Sequence, residues 1–85
     1  MTTNPQIKIQ YTGVYQLSKG IVLTDPLVTA MSATDDFVSS VSVACNFSSE
    51  TYAYGTDIGS FSYNTTWTNA DIELFINEYM NARKI

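Results

Sequence analysis

Over residues 40–47 the chain alternates without interruption: Val41, Val43, Cys45 and Phe47 fall on one side of an extended segment, and Ser40, Ser42, Ala44 and Asn46 on the other. A period of two marks a strand half-buried in a sheet. One face here is apolar and the other small and polar, so the strand needs a cover on one side only. Ile7, Ile9 and Tyr11 alternate with Lys8 and Gln10 in the same way, after an extended lead-in over residues 1–5 and before a break at Gly13. Residues 14–17 and 21–24 flank Ser18-Lys19-Gly20, where glycine can take the left-handed position of a three-residue hairpin turn.

The remaining segments read less cleanly. Asp25-Pro26 suits a turn or a helix start, and the β-branched Val28 and Thr29 favour extended structure over residues 27–31. Residues 32–36 read as a polar turn. Residues 51–54 and 60–64 read as a hairpin around a loop, 55–59, bracketed by Gly55 and Gly59. With Tyr54 opposite Ser60, Tyr52 and Tyr54 lie on the surface opposite Phe61; a slip of one residue exchanges the faces.

The last element carries the strongest helical pattern. Ile72, Phe75, Ile76, Tyr79 and Met80 recur at the spacing of one helix face. Thr68 and Asp71 have the form of a capping box with Asp in place of Glu, and Asp71, Glu73 and Glu78 precede Arg83 and Lys84 in the order that complements the helix dipole. The expected architecture is α+β: one domain over residues 1–85, a small antiparallel sheet of about four to five strands, and a C-terminal amphipathic helix from near Thr68. That helix is the only segment whose pattern suits it to cover the face of Val41 to Phe47. Recognition then belongs to the other side, with Tyr52, Tyr54, Ser40, Ser42 and Asn46 as the candidate interface.

Composition adds a reason to expect an interface. Charged residues make up 14% of the 85-residue chain, against about 25% in ordinary domains. Polarity comes instead from 11 Thr, 9 Ser, 6 Asn and 6 Tyr. Interface cores are depleted in Lys, Glu and Asp and enriched in Tyr, although Thr and Tyr also suit solvated strands. A chain this short builds a marginal core. Cys45 is the sole cysteine, so no intrachain disulfide staples it, and without histidine a metal site is not expected. Association with a protein partner or with other copies of itself is the remaining aid.

The net charge of −4, with Lys8, Lys19, Arg83 and Lys84 scattered or terminal, offers no footprint for nucleic acid. Nor are the carboxylates dense enough for a DNA mimic. The longest aliphatic run, residues 21–23, is far below the ~18 apolar residues of a membrane span. Met1-Thr2-Thr3-Asn4-Pro5 has neither the basic nor the apolar part of a signal peptide, and synthesis in a host cytoplasm is the expectation. The sequons at Asn46 and Asn64 read as chance matches in a Thr- and Ser-rich chain.

Catalytic chemistry is not evident. No histidine is present to act as an imidazole base. The adjacent pair Asp35-Asp36 has the character of turn caps, and residues 55–59 lack the context of a phosphate cradle or a calcium loop. Cys45 lies in the apolar register of its strand, as a buried small hydrophobe does. No cofactor is expected. The composition, rich in Thr, Ser, Asn and Tyr and poor in Lys and Arg, is similar to that of phage structural proteins. The expected function is a non-enzymatic assembly subunit, a small phage virion or appendage protein working by protein–protein contacts and ending in the virion. The alternative is a phage-encoded inhibitor of a host defence protein.

Overall fold

A computed structural model describes residues 2–50 and 52–85. Among them, seven strands precede one helix: β1 (Thr2–Thr3), β2 (Ile7–Gln10), β3 (Val14–Ser18), β4 (Ile21–Thr24), β5 (Leu27–Asp35), β6 (Ser40–Ser48), β7 (Ala53–Ser62) and α1 (Asn69–Arg83). In the main sheet β6 is central, paired antiparallel with β5 and β7. The outer side of β5 holds β2 along Leu27–Ala30 and β1 along Ala33 and Thr34. Strands β3 and β4 form a separate hairpin. The fold is therefore α+β, mostly antiparallel sheet with one C-terminal helix.

Cross-strand pairing makes one apolar face. Val28 lies opposite Phe47, Ala30 opposite Cys45 and Ala33 opposite Val43, and all six are buried. Helix α1 lays Ile72, Ile76 and Met80 into the same core, each fully buried. Burial of each such side chain is worth about 1.5–3 kcal/mol, a large share of the ~5–15 kcal/mol net stability of a domain. The helix starts where its sequence says it should. Thr68 is extended at φ −134°, and the Asp71 carboxylate accepts its N–H at 2.8 Å. At the other end the Arg83 guanidinium lies 3.6 Å above the Tyr79 ring and donates to the Tyr79 carbonyl at 3.1 Å.

Four local expectations change. The helix does not cover the sheet alone, because the β3–β4 hairpin adds Tyr15, Leu17 and Leu23 to the same core. It is tied to the chain end by an Ile85 N–H to Val14 carbonyl bond of 2.9 Å. Ser18 pairs with Ile21, so the turn of that hairpin is Lys19-Gly20, with Gly20 at φ 86°. Residues 32–35 are strand rather than turn: Ser32, Thr34 and Asp35 pair with Ala44, Ser42 and Val41, and their polarity is that of a strand with one wet face. The chain turns only after Asp36.

The largest correction concerns residues 51–64. Thr51 lies outside the described residues, and from Ala53 to Ser62 the chain is one ten-residue strand, not a hairpin. Gly55 sits opposite Asn46 and Asp57 opposite Ala44, so what resembled a polar loop is the water side of a strand. The register shifts where Ile58 is the additional residue, and Gly59 takes φ 120° there. A β-bulge with an L-residue-averse conformation explains the glycine.

Placing a carboxylate at Ile76 strands an unpaired charge in the core, which costs several kcal/mol. Ile76→Asp should abolish the cooperative unfolding transition and the strand and helix bands of the far-UV circular dichroism spectrum. An unchanged spectrum refutes the packing described here.

Candidate functional site

The sheet has two faces and only one is covered. On the other, strand alternation brings forward Lys8 and Gln10 from β2, Thr29 and Thr34 from β5, Ser40, Ser42, Ala44 and Asn46 from β6, and Gly55, Asp57, Ser60 and Ser62 from β7. None of these residues is buried. Rows cross the sheet from edge to edge: Lys8, Thr29, Asn46 and Gly55 in one, Thr2, Thr34, Ser42 and Ser60 in another. The Thr2 and Thr34 hydroxyls meet at 3.0 Å. The result is a surface rich in small hydroxyl side chains, on which Lys8 and Asp57 carry the charge.

Of the sequence-derived interface, Ser40, Ser42 and Asn46 lie together on this face, and the two tyrosines do not. Tyr54 pairs with Phe47 and turns toward the helix side, its ring stacked 6.0 Å from Phe47. The bulge at Ile58 is the cause: it inserts one residue, so Tyr54 and Thr56 share the face of Phe61 instead of alternating with it. Tyr52 precedes β7, is 47% exposed, and walls an open groove of about 450 Å³ with Ile21, Leu23, Asp25, Ser49 and Glu50. Thr34 was missed because its segment reads as a turn; Ser60 and Ser62 were read as strand, but in a hairpin with residues 51–54 and not beside β6.

A second exposed feature stands at one end of the sheet. The β5–β6 turn presents Phe37 and Val38 at 72% and 77% exposure. The turn is pinned from within: Asp36 Oδ1 accepts the N–H groups of Val38, Ser39 and Ser40 at 2.8, 3.0 and 3.1 Å, and Asp35 Oδ1 accepts that of Phe37 at 2.8 Å. Phe37 is held at φ 64°, an outlier for a bulky residue. Two apolar residues directly after two aspartates were the available signal.

Asp35 also binds across the chain. Its oxygens accept the Tyr63 hydroxyl at 2.6 Å and the Trp67 indole N–H at 2.8 Å. Those bonds, Tyr63 first, hold the Asp35 carboxyl below its usual range, and the Asp35 acceptor pushes the Tyr63 phenol up to about 12. Trp67 in turn meets Phe61 edge-on at 6.4 Å. The cluster fixes the lead-in to α1 against the turn. Donors and acceptor are mutually satisfied, which is the state of a structural clamp rather than of a poised acid or base. Cys45 is 2% exposed, and burial pushes its thiol up to about 12. Among the described residues no group of three or more His, Cys, Asp or Glu side chains could hold a metal ion, and no helix is long and apolar enough to cross a membrane.

No protein-family model, curated protein or solved structure matches the chain. The fold defines a class: a one-sided α+β sheet whose second face is, among the described residues, uncovered, hydroxyl-rich and almost without charge.

Two measurements test these placements. Asp35 and Asp36, both lowered, contribute stability above the unfolded carboxyl value of about 3.9 and lose it as pH falls through their folded values. Tyr63, raised to about 12, contributes stability below the unfolded phenol value of about 10 and loses it as pH rises through about 12. In Asp35→Asn the thermal midpoint should fall less steeply with acid, and the alkaline loss between about 10 and about 12 should shrink; an identical pH profile refutes the clamp. For Cys45, an aromatic disulfide reagent should label the native protein only at the rate of unfolding and the denatured protein at once.

Proposed function

We propose that this protein is a non-enzymatic assembly subunit, a small phage virion or appendage protein that acts by docking on other copies of itself or on a larger scaffold. The observation that carries the reading is the uncovered sheet face of Ser40, Ser42, Asn46, Thr34, Ser60 and Ser62, continuous at one end with the pinned Phe37-Val38 turn. Small hydroxyl side chains let another surface approach closely and desolvate at modest cost, unlike Lys or Glu. An exposed aromatic on a rigid turn supplies the anchor that interface cores favour. The hydrogen-bonded state of Asp35 and Asp36 and the burial of Cys45 support a role without catalysis.

A second reading has its own observation. The groove beside Tyr52, walled by Asp25 and Glu50, is concave and suits an inhibitor that grips one loop of a host defence protein. The two readings differ in stoichiometry: the first needs many copies together, the second a monomer with one foreign partner.

Light scattering coupled to size exclusion decides between them. The expected result is mass that grows with concentration beyond one chain, and its loss in Ser42→Lys/Asn46→Lys with the far-UV spectrum retained. A strict monomer at every concentration overturns the assembly reading.

A further inference from the structure

We infer that copies of this chain join head to tail through the edges of the main sheet, β7 of one copy lying antiparallel to β2 of the next, with Asp57 opposite Lys8. The inference rests on the assembly reading above and narrows it to one occupant, a second copy, and one register.

Strand direction already permits the join. Strands β2, β5, β6 and β7 alternate in direction across the sheet. The two edges therefore run oppositely, and a copy placed beside another in the same orientation sets β7 antiparallel to the neighbour's β2. The uncovered faces of both copies then remain on one side.

Backbone phase permits it as well. The Tyr11 N–H to Pro26 carbonyl bond at 3.0 Å fixes which β2 residues bond to β5. In an antiparallel ladder the inward groups alternate, so Ile7 and Ile9 point toward β5 while Lys8 and Gln10 point their N–H and C=O outward. On β7, the Tyr63 N–H to Ser39 carbonyl bond at 2.9 Å sets the same alternation. Phe61 and Gly59 point inward. Beyond the bulge at Ile58 the inward residues are Thr56 and Tyr54, which leaves Asp57 and Gly55 pointing outward. Lys8 opposite Asp57 and Gln10 opposite Gly55 is thus a register in which all four residues present main-chain donors and acceptors to one another.

Side chains agree with that register. Lys8, Gln10, Asp57 and Gly55 share the uncovered face, and all four are exposed. Ile7 and Ile9 meet Ile58 and Thr56 on the core side, where all four are half-buried and have area left to cover. Charge selects this pairing over the alternatives. Within the five strands of the sheet the charged residues are Lys8, Asp35 and Asp57, and Asp35 faces the core side, bonded to Tyr63 and Trp67. A symmetric β7–β7 join of full overlap brings the two Asp57 carboxylates together, and a β2–β2 join centred on Lys8 does the same to its two ammonium groups. Only the head-to-tail contact sets opposite charges face to face.

The geometry has a consequence for shape. Within one copy Lys8 shares a row with Gly55, whereas the join sets Lys8 against Asp57 two residues along. Each copy is stepped by about 6.6 Å along the strands, and a heterologous contact repeated with a step closes into a ring or continues as a helical filament. The four-residue length of β2, bounded by Pro5 and by Gln6 at φ 56°, keeps each contact short and reversible.

Exchange of charge tests the inference in the full chain. Lys8→Asp and Asp57→Lys should each weaken concentration-dependent association on the order of tenfold, with the far-UV spectrum unchanged. Mixing the two variants, or combining both changes in one chain, should restore it. Wild-type association left unaltered by either single variant, or not restored in the mixture, overturns the edge contact while leaving assembly through the open face standing; a wild-type chain that never associates overturns both.

Discussion

Everything in this molecule follows from the packing of three helix side chains, Ile72, Ile76 and Met80, on the row Val41, Val43, Cys45 and Phe47 of the central strand. The buried apolar residues of β5 and β6 all lie on this one side of the sheet. The helix and the β3–β4 hairpin close that side, and among the described residues no element packs on the other. An uncovered sheet face must then be compatible with water along every strand that contributes to it. The serines and threonines of β5, β6 and β7 meet that requirement, and the low charge of the chain follows from the same choice of neutral polarity.

The parts of this arrangement that obey a local period were legible in the residues. The alternation over residues 40–47 gave β6 its faces, and the spacing from Ile72 to Met80, with Thr68 and Asp71 before it, gave the helix and its start. The hairpin around Lys19-Gly20 was equally local. What misled were segments whose local composition says turn and whose partners lie far away in sequence. Gly55, Asp57 and Gly59 carry every mark of a loop, yet β7 passes straight through them, because β6 supplies a long neighbour with matching hydrogen bonds. Ser32 and Thr34 were misread for the same reason. Hydroxyls on the wet face of a strand and hydroxyls in a turn are indistinguishable until the pairing is known.

The candidate interface inherits that asymmetry. Ser40, Ser42 and Asn46 were recoverable because they sit on the best-patterned strand. Tyr54 was assigned to the wrong side because the bulge at Ile58 reverses the alternation between it and Phe61; its ring belongs with Phe47, which also stacks with Tyr79 at 6.0 Å. The Asp35 clamp was beyond reach, since Tyr63 and Trp67 are separated from it by 28 and 32 residues. Only its capping half, the neighbouring Asp36, could be read locally.

Two sheet edges remain when one face is left open, and edges are hazardous because any extended chain can add to them. The usual protections are present but unequal. The β1–β2 edge is interrupted by Pro5 and Gln6 and carries Lys8, whereas β7 offers ten residues with one bulge and one carboxylate, Asp57. Each charge repels its own kind, so a symmetric join that sets Asp57 against Asp57, or Lys8 against Lys8, is disfavoured on either edge. The same two charges attract each other across the remaining combination. A pair of residues that blocks two associations and leaves a third open specifies an orientation, and a sheet otherwise almost free of charge has little else with which to specify one.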